Sequence, residues 1–251
     1  MKFESSNPTL SADVFRNPSF AYSPSATMTV GGAATKTLLL LALAFGTAVI
    51  SWSSLAKGTF NPAWLILALV GSMIAGLVIY FKPTTAPYVA PVYAALEGVF
   101  LGAISALFDR RFPGIASQAM LGTFGVFGVM LALYTTRTVR VTPGFTKFVI
   151  GATLGIALTY LIAIVLRLCG VTVPFLNQPN PIGIGISVFV VAVASMTLLL
   201  DFNLIEEYVA QGAPKSMEWY GAYALMSSLV WLYFEVLRLL WLLYSFFGDG
   251  D

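Results

Sequence analysis

Four ionisable residues stand inside otherwise apolar runs of this 251-residue chain. Glu97 lies in A-A-L-E-G-V-F-L-G, Asp201 in T-L-L-L-D-F-N-L-I-E-E, and Glu235 and Arg238 in W-L-Y-F-E-V-L-R-L-L. A charge at the centre of a bilayer costs at least ~2.5 kcal/mol, so such groups face a protein interior or a water-filled cavity. Burial disfavours the ionised form of a carboxyl, and two carboxyls in one site hold a proton between them. Such a pair can switch a helix bundle between two packings near neutral pH. Carboxylate oxygens also suit Ca²⁺, a hard cation. These residue types leave proton sensing, cation passage, or both, open.

Each residue also has a plainer reading. Glu235 and Arg238 are three apart and share a helix face, so they can form a self-neutralising ion pair that only orients its helix. Glu97 has small neighbours, Ala94 and Gly98, which suit a protonated carboxyl bonded to another helix. Asp201 is near a helix end, where an interfacial position would suffice. Glu206 and Glu207 read as solvated loop.

Composition narrows the chemistry further. Of all residues 58% are hydrophobic and 10% are charged, against about 25% charged in soluble domains. Lipid accepts so apolar an exterior; water does not. The net charge of +2, with no basic run, gives nucleic acid no footing. With no His and a single Cys, Cys169, Cys/His zinc sites, disulfide frameworks and His-based catalytic triads are excluded within one chain. The expectation is a non-enzyme without cofactor, with calcium or protons as the candidate bound or transported species.

The elements that must position these residues are membrane spans. Residues 1–35 form a polar arm rich in Ser, Pro, Asn and Thr, expected to be flexible and cytoplasmic. Its charged start leads into polar residues, unlike a signal peptide. From residue 36 to 248, seven apolar runs reach the roughly 20 residues a span needs: 36–55, 62–82, 88–108, 115–136, 145–168, 182–205 and 219–247. Pro, Gly and charged residues break them, among them Asn61-Pro62, Lys82-Pro83, Pro113-Gly114, Pro143-Gly144, the cluster Pro174, Asn177, Pro179, Asn180 and Pro181, and Gly212 with Pro214. Such residues stop helices where water satisfies the free backbone groups. The fold class is therefore all-α, a polytopic seven-helix membrane bundle.

Orientation follows the Lys and Arg distribution. With the N-terminus cytoplasmic, the inner side carries Lys2, Arg16, Lys36, Lys82, Arg137, Arg140, Lys147 and Lys215; the outer side carries Lys57, Arg110, Arg111 and Arg167. This bias favours a cytoplasmic N-terminus and an external C-terminus. Gly122, Gly125 and Gly128 at three-residue spacing, and Gly151 with Gly155, are expected to bring helices close together within the bundle. Trp52, Trp64, Trp219 and Tyr220 suit interfacial belts.

Three stretches carry a family resemblance. A-L-E-G-V-F-L-G resembles the E-G-x-x-L-G helix of the Bax inhibitor (YccA-like) family, the transmembrane Bax-inhibitor-motif proteins. L-L-L-D-F-N-L-I resembles its Y-D-x-N-x-I ending of the sixth helix. Residues 232–248 resemble its closing L-Y-L-D-x-I-N-L-F helix. The polar arm and A-Q-G-A-P-K-S-M-E-W-Y-G look most like a bacterial branch. The resemblance implies seven helices with a central last helix, in a bacterial inner (plasma) membrane, and a pH-sensitive Ca²⁺ leak governed by one aspartate on each of the last two helices. Asp201 matches the first, and Glu235 stands in place of the second. On that reading Asp201 and Glu235 face one another, share a proton or hold calcium, and Glu97 and Arg238 belong to the same pathway.

Chain geometry offers a different neighbour. In a hairpin about Pro214, Asp201 lies 13 residues before the turn and Glu235 lies 21 after it, a mismatch of about 12 Å. The same arithmetic puts Ser227 or Ser228 opposite Asp201. Rival functions are a non-conducting regulator that binds a membrane protease or another membrane protein, a proton-coupled transporter, and an intramembrane aspartyl protease. The transporter lacks a visible internal repeat. The protease lacks a G-x-G-D motif within a span.

Overall fold

The computed structural model describes residues 27–170 and 178–248. Seven long helices follow in order: α1 Val30–Ala56, α2 Ala63–Phe81, α3 Ala86–Arg111, α4 Ile115–Thr135, α5 Pro143–Leu168, α6 Pro181–Ala210 and α7 Met217–Gly248. All seven are long and apolar enough to cross a membrane. Local chemistry sets their ends. Thr29 caps α1 by accepting from the Gly32 N–H at 2.9 Å. Thr142 and Asn180 cap α5 and α6 in the same way, each followed by Pro at the first helical position, where its missing N–H is harmless. The α6–α7 turn contains Gly212 at φ 67°, a conformation that favours glycine.

The last helix is the axis of the bundle. It packs against α6, α1, α4 and α3, whereas α5 sits outside and packs on α6. One face of α7 puts Leu225, Leu229, Leu232 and Leu237 into a core with Ile115, Ala119, Leu198 and Phe202. Another puts Ala222, Met226 and Val230 into a second core with Leu40, Ile79, Ala90 and Ala94. A helix apolar on several sides is what a central position requires. The outer helices expose their apolar side chains instead, as at Leu39, Ile66, Leu154 and Leu161, where lipid is the solvent.

Close helix approach occurs at glycines other than those the spacing singles out. A Cβ on Gly98 would lie 2.2 Å from the Ala44 carbonyl oxygen, and one on Gly102 2.1 Å from that of Ala48. The α1–α3 seam is therefore built on the two glycines of the E-G-x-x-L-G stretch. Nothing lies within 4 Å of a Cβ on Gly125, Gly128, Gly151 or Gly155, and Gly122 meets only a Val236 methyl at 3.2 Å. Of those five, only Gly122 is approached closely within the bundle, by a side chain of α7.

The first helix reaches back into the stretch 1–35 that reads as polar arm. Residues 1–26 lie outside the described residues, and α1 begins at Val30. Between them, Thr27 bridges Pro214, and the Met28 N–H donates to the Ala213 carbonyl at 2.8 Å. Met28 is buried among Ile205, Tyr208, Val209 and Met217. The chain thus enters α1 already tied to the α6–α7 turn. Of the fifth break, Pro174 and Asn177 lie outside the described residues.

Candidate functional site

The intramembrane ionisable groups fall into two clusters at different depths along α7. Asp201 lies nine residues before the end of α6 at Ala210, about 14 Å from that end. Ser228 of α7 lies beside its carboxyl, and its Oδ2 is buried with no hydrogen-bond partner. Ser227, the adjacent residue, points to the other side of the helix and sits between Tyr93 of α3 and Tyr223 of α7. The two tyrosine rings meet edge to face at 4.9 Å. Next to them is Glu97, 8% exposed, with Ser72 of α2 beside its carboxyl. Ser228 and Glu97 are each eleven residues from the start of their helix at the same end of the bundle. A polar belt therefore crosses the apolar bundle at one level, from Glu97 through Tyr93, Tyr223 and Ser227 to Ser228 and Asp201.

The second cluster holds Glu235 and Arg238. Glu235 accepts from the Tyr160 hydroxyl of α5 at 2.9 and 3.1 Å and from the Trp231 indole N–H at 3.2 Å. Arg238 approaches the same carboxylate at 3.6 Å and donates to the Tyr160 hydroxyl. Its guanidinium lies 5.2 Å from the Tyr160 ring centroid. The intrahelical pair is thus clamped by α5, which otherwise touches the bundle mainly through α6.

The pairing of Asp201 with Glu235 is not what the structure holds. Asp201 is matched to Ser228, and Glu235 is seven residues further along α7, about 10 Å of rise. Each has its own partners, and neither carboxyl is among the other's neighbours. The physical reason is the short α6–α7 turn, which sets the register that hairpin arithmetic describes. Among the described residues no group of three or more His, Cys, Asp or Glu gathers that could hold a metal ion. Glu206 and Glu207 also differ from a solvated loop: both lie in the last turns of α6. Glu206 is bonded to the Tyr134 hydroxyl and to Arg137 at 2.9 Å, while Glu207 is exposed and accepts from Gln211.

A further ionic group escaped the reading of the sequence. Glu218, 1% exposed, is paired with Lys36 and accepts from the Thr29 N–H at 3.0 Å and the Thr29 hydroxyl at 3.1 Å. Its carboxylate sits at the N-terminus of α1, where the helix dipole favours negative charge. The signal was available: Lys36 and Glu218 are opposite charges near span ends on one side of the bundle. Tyr160 carried a weaker signal, a lone phenol inside an apolar run.

A family model described as Bax inhibitor 1 like matches residues 7–245. No curated protein and no solved structure matches the chain. The matched segment takes in all but the last three residues of the seven-helix bundle, including both polar clusters and the α1–α3 seam, and the chain is a multi-pass membrane protein that belongs to the Bax inhibitor 1 like family.

Proposed function

We propose that the chain is a proton-sensitive cation leak, with calcium as the transported ion, controlled at the belt through Asp201. The observation that carries this reading is the Asp201 Oδ2 atom, buried in a membrane-spanning bundle without a partner. A carboxyl has two ways to satisfy such an oxygen: it can carry a proton and donate it, or it can be ionised and accept a cation or water. In the protonated state Asp201 and Ser228 hold α6 against α7. Loss of the proton leaves an anion with no basic partner beside it, and a cation entering from the water at the Ala210 end supplies what it lacks. Glu97 stands at the same level behind Ser227 and contributes a second negative charge to the same passage. Glu235 is already paired with Arg238 and accepts hydrogen bonds from Trp231 and Tyr160, and serves to fix α5 on α7. In this reading the N-terminus is cytoplasmic, so the belt lies nearer the cytoplasmic face of a bacterial plasma membrane.

Calcium flux from liposomes holding the purified chain tests this directly. The wild-type leak is expected to rise with pH. Asp201→Asn should flatten that dependence, because the amide cannot titrate. Glu97→Gln should displace the midpoint without abolishing the response, and Glu235→Gln should leave the response in place. No flux at any pH, with folded protein, would favour a non-conducting regulator of a membrane protease or another membrane partner. An Asp201→Asn variant with the full pH response would remove Asp201 from the sensor.

A further inference from the structure

The α4–α5 connection, residues 136–142, forms a pocket that the polar belt does not use. It encloses about 350 Å³ and is lined by Arg137, Val139, Arg140 and Val141, with Asn203 of α6. Arg137 is the one non-glycine residue among those described with a left-handed backbone, φ 56°. That backbone closes α4: with the Thr138 N–H donating to the Leu133 carbonyl at 3.1 Å, Arg137 is the left-handed residue that ends a helix. Here the Arg137 N–H donates to the Tyr134 carbonyl at 3.0 Å, and its Nη2 donates to Glu206. Its guanidinium lies 5.7 Å from the Tyr134 ring centroid. The side chain is thus aimed, yet most of its five donors are unassigned. Among the described residues, Arg140 and Asn203 make no side-chain hydrogen bond or ion pair. Glu206 offsets one of the two positive charges, so the pocket keeps a net positive charge and a surplus of donors.

Its depth suggests the ligand's setting. Asn203 lies seven residues before the end of α6, about 10 Å inward. The 30-residue α6, about 45 Å long, exceeds the roughly 30 Å hydrocarbon core. Split evenly, the excess is about 7 Å at each end, which puts Asn203 just inside the hydrocarbon edge and leaves the arginines of the connection, beyond the end of α4 at Thr135, to face the headgroups; the two valines give the pocket an apolar wall. We propose that this pocket binds a phosphate-bearing anion, carried by an acidic phospholipid headgroup or free in solution. Guanidinium forks match phosphate oxygens, and basic pockets between transmembrane helices near the cytoplasmic face hold lipid headgroups.

Native mass spectrometry of the full chain, equilibrated with phosphatidylglycerol and with phosphatidylcholine, separates the outcomes. A lipid source predicts preferential retention of phosphatidylglycerol, reduced about fivefold by Arg140→Gln. That variant keeps the Arg137–Glu206 pair, so a Tm close to that of the wild type is expected alongside. Lys57→Gln, at the opposite end of the bundle, should change nothing. A free-phosphate source predicts instead that inorganic phosphate raises Tm in phosphatidylcholine alone, and that Arg140→Gln abolishes the rise. Equal retention of the two lipids with no phosphate effect overturns the proposal. So does a lipid preference that Arg140→Gln leaves whole.

Discussion

Replacing Lys36 by Met is expected to destabilise the folded chain by about 3–5 kcal/mol, the cost of leaving a buried charge without its partner. The partner is Glu218, whose side chain is 1% exposed against 16% for Lys36. The carboxylate also accepts two hydrogen bonds from Thr29, and it packs so tightly on α1 that a Cβ at Gly32 would overlap its carboxyl carbon at 2.3 Å. It cannot move out to water without releasing the cap of α1. The expected structural consequence is local: the Thr27–Thr29 segment leaves the α6–α7 turn, and that turn becomes more sensitive to protease. Denaturation in mild detergent measures the loss. The double variant Lys36→Met, Glu218→Gln should recover much of it, because a neutral amide still accepts from Thr29 and no bare charge remains. A single Lys36→Met variant as stable as the wild type would show that the pair contributes nothing. An effect of equal size in the double variant would trace the loss to packing rather than to charge.

The span pattern was legible because it depends on length and hydropathy alone. The seven apolar runs match the seven helices, with ends displaced by up to six residues. The largest displacement is at α1, where a small-residue stretch, Val30 to Thr35, looks like arm but carries on the helix from its Thr29 cap. Partner choice was much harder to read. In a soluble helix, polarity marks the outward face; here lipid and core are both apolar, so the faces of α6 and α7 look alike in sequence. Resemblance joined Asp201 to Glu235, whereas the length of the turn joined it to Ser228. The turn length was the better physical guide because helix rise per residue is fixed. The glycines show the same limit. A G-x-x-x-G pattern states that a helix can be approached, not that one approaches: Gly151 and Gly155 face open space, while Gly98 and Gly102 meet the α1 backbone.

Substituting Gly98 by Ala is expected to be among the most damaging single-methyl changes in the chain, because the atoms in the way belong to backbone. A Cβ there would lie 2.0 Å from the Thr47 hydroxyl, 2.2 Å from the Ala44 carbonyl oxygen and 2.7 Å from the Ala44 Cα. Thr47 can rotate away, since its hydroxyl only returns to carbonyls of its own helix. Ala44 cannot, so α1 as a whole must shift from α3. Overpacking of well-filled interiors costs about 1–3 kcal/mol and occasionally more, and this contact belongs at the upper end. Gly102→Ala meets the Ala48 backbone in the same way, and the two changes are one turn apart. They should therefore add less than fully, since one displacement of α1 relieves both. Gly125→Ala, where a Cβ has open space, is the matched control and should be close to neutral. The functional consequence follows from position. Glu97 precedes Gly98, and a displaced α3 moves its carboxyl relative to Ser72, Tyr93 and Tyr223. If the belt controls a leak, Gly98→Ala protein that still folds should show an altered pH midpoint, while Gly125→Ala should not. Equal stability of the Gly98→Ala and Gly125→Ala variants would mean that the α1–α3 seam is looser than its backbone contacts require.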